Sequence, residues 1–357
     1  MMISYYFLFS LPLIGVFTHY HYKKNLDFFL WFFLIAIYIF IIGFRYEVGG
    51  DWDTYIHGLK KHTIQFDPLT FNVRSDYGYE LITWITYNLG FGIYGSNIIS
   101  SVIFIVSLSY FCSLQPNKWL AFLISFPVII VVLGMGFTRQ GIAFAFFLLS
   151  LISLIKKNNF SYFLYMFISI LFHKSIVIFL PIYFLSIEKN YLKNFLLFSF
   201  FLILISFFIY KDIQLLFTTY ILNRFTNNES GTGLVSYGIY YRLFLNLIPA
   251  IIMLIYRKQL THNKIEKRIF VLFSLLILLF FLFSNTFSVV VDRMNLYTAI
   301  LQVFVLSRLC YIIEDKRIIK IVNLFIVIFY FLILFVWLNF AVNAHAWTPY
   351  MNYFFHK

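Results

Sequence analysis

Apolar runs dominate this chain. Stretches of roughly 17 to 25 residues, the length a helix needs to cross a bilayer, lie near 4–20, 26–44, 97–114, 119–135, 140–155, 194–210, 239–256, 269–290, 293–310 and 320–340. Polar residues fall in the short joints between these runs and in two longer stretches, 45–96 and 211–238. The pattern predicts an all-α, polytopic integral membrane protein of about 11 to 12 membrane helices. It reads as one membrane domain over 1–357 with outer loops 45–96 and 211–238, and no internal repeat is visible.

Two segments depart from a simple span. Residues 78–94 (GYELITWITYNLGFGIY) are amphipathic and aromatic, which predicts a helix lying along the membrane surface. Residues 160–187 are apolar but carry His173-Lys174 in the middle. The N-terminal MMISYYFLFSLPLIGVF has neither a basic leading region nor a small-residue cleavage site, so it reads as a first span rather than a removed signal.

Charge orients the spans. Lys23-Lys24, Lys118, Lys156-Lys157, Lys189 with Lys193, Arg257 to Arg268, and Lys316 to Lys320 sit in short joints and are expected in the cytoplasm. That assignment puts both termini outside, together with 45–96, 211–238 and the turns at 136–139 and 291–293. The cytoplasmic side then holds 16 basic and 5 acidic residues, against 11 and 9 outside. It also puts Lys156-Lys157 and Lys189 on one side. About 30 residues cannot make two full spans, so 160–187 is expected to be two short helices or a re-entrant hairpin with His173 at the tip. One long tilted helix is the other option.

Composition narrows the function classes. Of 357 residues, 62% are hydrophobic and 11% charged, whereas soluble domains carry about 25% charged residues. A soluble enzyme, a disordered chain and a disulfide scaffold are excluded. The net charge of +13 would point to nucleic acid in a soluble protein. Here the cytoplasmic joints account for most of it, and no nucleic-acid partner is expected. Cys112 and Cys310 each lie in an apolar run, so neither a metal site nor a disulfide is expected.

Four clusters place charge at an outer membrane boundary. The first is Arg45-Tyr-Glu47-Val-Gly49-Gly50-Asp51-Trp-Asp53-Thr-Tyr55; it reads as a carboxylate-bearing site or as a polar loop with a snorkelling Arg. The second is Gly134 to Gly141, with Arg139 and Gln140 where an inward-running helix starts. A cation there opposes the helix dipole, which makes sense if an anion sits between them; a snorkelling Arg is the alternative. The third, Asp292-Arg293, reads as an N-cap followed by a first-turn cation. The fourth is His173-Lys174-Ser175. An imidazole at membrane depth can act as a base near neutral pH or bond between helices. His173 is the first candidate for a general base and Asp51 its rival.

The same clusters resemble, in order, the EpsG family of polysaccharide-polymerising membrane proteins, which includes many Wzy-type O-antigen polymerases. The matching pieces are Arg45, Val48-Gly49, Asp51 and Tyr55; Tyr79-Glu80; Arg139-Gln140 with Ala143; Phe172-His173-Lys174-Ser175; and Asp292-Arg293 with Tyr297. They cover about residues 40 to 310. The resemblance implies a fold like the C-type membrane glycosyltransferases in a bacterial cytoplasmic membrane, with the active site facing the periplasm or cell exterior. It implies a glycosyltransferase that moves a growing glycan from undecaprenyl pyrophosphate to the sugar of an incoming lipid-linked repeat unit, with no cofactor. A chain-length regulator protein is an implied candidate partner. Such a reaction needs a base for the acceptor hydroxyl and positive charge for the leaving group. Arg45, Arg74, Arg139, Arg224, Arg242 and Arg293 could supply that charge without a metal, and Tyr55 and Gln140 join Arg45, Arg139, Arg242 and Arg293 as substrate-binding candidates. The competing readings are a metal-dependent lipid-phosphate-sugar transferase using Asp51-Trp-Asp53, a flippase of the same lipid-linked oligosaccharide, and a membrane O-acyltransferase.

Overall fold

The computed structural model describes residues 2–18, 24–68, 76–187, 191–208, 236 and 238–355. Arg74, Lys23, Lys189 and almost all of 211–238, including Arg224, lie outside the described residues. The structure is helical, as the hydropathy predicts. Seven described helical segments are long and apolar enough to span a membrane: Asn25–Gly43, Gly92–Ser113, Lys118–Met135, Thr138–Ile155, Ile239–Tyr256, Ser288–Leu306 and Lys316–Phe340. Shorter apolar helices lie within Ile3–Thr18, Asn159–Phe172, Lys174–Ser186 and Leu192–Phe201. The chain divides into two compact units, one of 1–174 with 306–357 and one of 175–305.

In the first unit α1 (Ile3–Ser10) and α2 (Leu13–Thr18) are parted at Leu11-Pro12, because a proline supplies no N–H to carry a helix through. They are followed by α3 (Lys24–Gly43), α4 (Trp52–Gln65), α5 (Tyr77–Asn88), α6 (Gly92–Ser113), α7 (Lys118–Ser125), α8 (Thr138–Ile155) and α9 (Asn159–Phe172). Helix α5 has 12 residues, about 18 Å of rise against a hydrocarbon core of about 30 Å. It packs on α4, α6 and α9.

One end of this unit gathers the basic joints. Lys118 Nζ lies 2.5 Å from Asp27 Oδ2, and Trp119 Nε1 donates to the other oxygen of that carboxylate. Lys156 Nζ reaches Tyr110 OH at 2.6 Å, and Arg308 Nε donates to Gln115 Oε1 at 2.8 Å. Helices that start here are capped: Asn117 and Asn158 accept from the backbone N–H of Leu120 and Ser161.

The opposite end is closed by the C-terminus. Arg45–Tyr46 (β1) pairs antiparallel with Met351–Asn352 (β2), and Gly49 N–H donates to Ala346 O at 2.8 Å. Gly49 has φ +115, and a Cβ there would stand 2.3 Å from Met135 O, so only glycine fits. Residues Phe126–Met135 form a π-helix, a form rare beyond a single turn. Trp347 Nε1 donates to Val131 O in it at 3.0 Å.

The second unit holds α10 (Ile182–Ser186), α11 (Tyr191–Phe208), α12 (Ile239–Tyr256), α13 (Lys264–Phe283), α14 (Ser288–Thr298) and α15 (Ile300–Leu306). The expected turn at 291–293 is displaced: the chain breaks at 284–287, and the spans begin and end about five residues earlier than the charges predict. The reason is the pairing of Asp292. Arg242 forks onto its carboxylate, Nε to Oδ1 at 2.6 Å and Nη2 to Oδ2 at 2.5 Å, so the charge needs no joint to hold it. Along the same helices Asn246 Nδ2 donates to Asn295 Oδ1 and Gln302 Nε2 donates to Asn246 Oδ1, each at 2.6 Å.

Candidate active site

Helices α8 and α9 run antiparallel in the first unit. Their register is marked where Ser169 Oγ donates to Ala143 O at 2.6 Å. Four residues on from Ser169 is His173, and four residues back from Ala143 is Arg139, so the register brings the two to one level. Helix α9 is 14 residues long, about 21 Å. It rises from the Lys156-Lys157 joint and stops at His173, whose backbone is extended at φ −159 and ψ 109. The break expected in 160–187 therefore falls at His173, and a 3₁₀ turn, Lys174–Phe179, follows it.

A third residue completes the group. Asp76 is the N-cap of α5, but its carboxylate caps nothing. Oδ2 instead accepts from Arg139 Nη1 at 3.0 Å and stands 3.6 Å from His173 Nδ1. Gly78 allows this approach, since a Cβ there would meet the Phe172 ring at 3.1 Å and Leu171 O at 3.2 Å. The side chains of Asp76 and His173 are 9% and 15% exposed, and that of Arg139 is 40% exposed. Among the described residues, both ring nitrogens of His173 and Oδ1 of Asp76 are buried without a hydrogen-bond partner. Burial pushes the Asp76 carboxyl up, but the imidazole of His173 and the cations Arg139 and Lys174 outweigh it and hold the group below its usual range.

Helix α8 begins at Phe137 with no side-chain cap. Its Arg139 N–H donates to Tyr55 OH at 3.4 Å, and Tyr55 OH donates to Asp51 Oδ2 at 3.5 Å. The Arg139 guanidinium also lies over the Tyr55 ring, 5.6 Å from its centre. Burial and Asp51 push the Tyr55 hydroxyl up. Asp51 thus joins the group through Tyr55. Gln140 is buried on the same first turn.

The other candidates stand apart. Arg45 is 1% exposed. It donates to the carbonyls of Ile42 and Val48, to Asn97 Oδ1 and to Thr138 Oγ1. Its bond to Thr138, the first residue of α8, links it to the site. In the second unit Asp292 is not a cap: α14 starts at Ser288 with Phe287 as its N-cap, and Asp292 and Arg293 lie in its second turn. Arg242 is committed to Asp292, while Arg293 is exposed. Asp53, two positions after Asp51 in sequence, is exposed. Among the described residues no group of three His, Cys, Asp or Glu comes together to hold a metal. Both cysteines are free thiols.

Asp76 is absent from the sequence-based candidates. The signal was an Asp directly before a helical segment, which ordinarily marks a cap. Only the structure shows that its carboxylate turns away from the helix.

Comparison with curated proteins and with solved structures finds no match. The EpsG family model matches residues 28–353, nearly the whole chain and all of the residues gathered around Arg139. The chain belongs to the EpsG family, a family of Wzy-type polysaccharide polymerases.

Proposed function

We propose that the protein polymerises lipid-linked oligosaccharide repeat units at the outer face of a bacterial cytoplasmic membrane. It transfers a growing glycan from undecaprenyl pyrophosphate to the sugar of an incoming lipid-linked unit. In that reaction the acceptor O–H bond and the anomeric C–O bond to phosphate break, and a new glycosidic C–O bond forms. The proton passes to a base and the electron pair leaves on the pyrophosphate. His173 is the base in this reading. Arg139, with the uncapped start of α8, carries the pyrophosphate charge as it develops. Tyr55 and Gln140 line the same first turn, and exposed Arg293 is offered as a separate cation in the second unit.

The observation that carries the reading is the half-exposed Arg139 guanidinium beside a buried carboxylate and imidazole, at the end of its unit opposite the basic joints. An arginine fork suits a phosphate better than a point charge does. The test is deletion of the gene followed by electrophoresis of the surface polysaccharide. The expected result is loss of the long-chain ladder with a single repeat unit still displayed. Loss of the single unit as well would instead identify a flippase.

A further inference from the structure

We infer that Asp76 is a positioning residue shared by Arg139 and His173, and that it passes from one to the other when a pyrophosphate group takes the guanidinium. The inference rests on the proposed polymerase reading and adds an order of events to it. The geometry points this way for three reasons. Asp76 stands at a helix N-cap and leaves the capping bond unmade. Its Oδ2 is 3.0 Å from Arg139 Nη1 but 3.6 Å from His173 Nδ1, so the arginine holds it now. Asp76 Oδ1 and both nitrogens of His173 are buried and make no hydrogen bond among the described residues, a costly state for polar groups unless a partner arrives.

An anion drawing Arg139 toward itself frees the Asp76 carboxylate. The carboxylate can then accept Nδ1–H of His173, which fixes the tautomer with its lone pair on Nε2. In the step that follows, the acceptor hydroxyl gives its proton to Nε2 while its oxygen bonds to the anomeric carbon. The pair of the broken C–O bond departs on the pyrophosphate. Asp76 stays ionised throughout and touches no reacting atom. The base is thereby set only when the leaving group is already bound.

The test uses the full-length protein reconstituted in lipid nanodiscs with a purified lipid-linked repeat unit, and inorganic pyrophosphate as competing inhibitor. Asp76→Asn removes the charge that competes for Arg139. Inhibition by pyrophosphate should tighten about five- to tenfold, while kcat falls about 10²-fold or more. A merely structural role would weaken both. Asp76→Glu keeps the charge but displaces it; it should keep wild-type inhibition and lose about tenfold in kcat. It serves also if the Asn variant does not fold. Unchanged or weaker inhibition of Asp76→Asn, or wild-type turnover of Asp76→Glu, overturns the inference. Polymer formation with no pyrophosphate inhibition of either protein overturns it too, while leaving the polymerase reading in place. Failure of the wild type to form polymer from the repeat unit overturns that reading.

Discussion

Asp76 Oδ2 lies 3.0 Å from Nη1 of Arg139, joining the N-cap of one short helix to the first turn of a membrane-length one. The two residues are 63 positions apart in sequence. A cation in the first turn of a helix is ordinarily unfavourable by about 0.3–1 kcal/mol. The carboxylate offsets that cost, and the Arg139 side chain stays 40% exposed.

Arg139→Ala should therefore lower polymerisation by about 10² to 10³ in rate at unchanged protein level. Arg139→Lys should recover only part of it, because an ammonium cannot bridge two phosphate oxygens as a fork does. Rates on a purified lipid-linked repeat unit, with protein quantified by immunoblot, check both.

The ion pair also makes stability depend on pH. The Asp76 carboxyl is held below its usual 3.8 in the folded protein. Its contribution is thus complete above about that value and is lost as pH falls through the lower folded one. Thermal unfolding of the wild type should show this loss, and Asp76→Asn should lack that component of the pH dependence.

Much of the architecture is legible in the sequence. Apolar run lengths locate α3, α6, α8, α12 and Lys316–Phe340, and charge parity favours a break in 160–187 over one long tilted helix; the structure ends α9 at His173. What hydropathy misses is pairing. Asp292 marks a joint only if it is unpaired, and Arg242, 50 positions away, pairs with it. Asp76 draws no notice in the sequence, and only the packing of α5 on α9 brings it to His173. Arg45 reads as a substrate-binding or snorkelling cation until four acceptors from three segments close around it.

Removing one member of the Arg242–Asp292 pair should be costly, because the side chains are only 17% and 14% exposed. Asp292→Ala should destabilise the protein by about 3 kcal/mol, and the double variant Arg242→Met/Asp292→Leu should be less affected than either single one. Thermal unfolding in detergent checks the order of the three.

Arg45 should act on folding rather than on binding. Arg45→Lys cannot satisfy Ile42 O, Val48 O, Asn97 Oδ1 and Thr138 Oγ1 together. It should lower the melting temperature and yield, while the KM of the protein that does fold stays near that of the wild type. A raised KM at unchanged stability would place Arg45 at the substrate instead.

In the proposed reaction His173 takes the acceptor proton while pyrophosphate leaves from Arg139. The most direct measurement is polymerisation of a purified lipid-linked repeat unit by reconstituted protein, counting released undecaprenyl pyrophosphate against new glycosidic bonds. The wild type should release one lipid pyrophosphate per bond, and His173→Gln should form no bonds at the same protein level while still binding the substrate. A ladder of normal length from His173→Gln would show that His173 is not the base, and bond formation without released lipid pyrophosphate would show that pyrophosphate is not the leaving group.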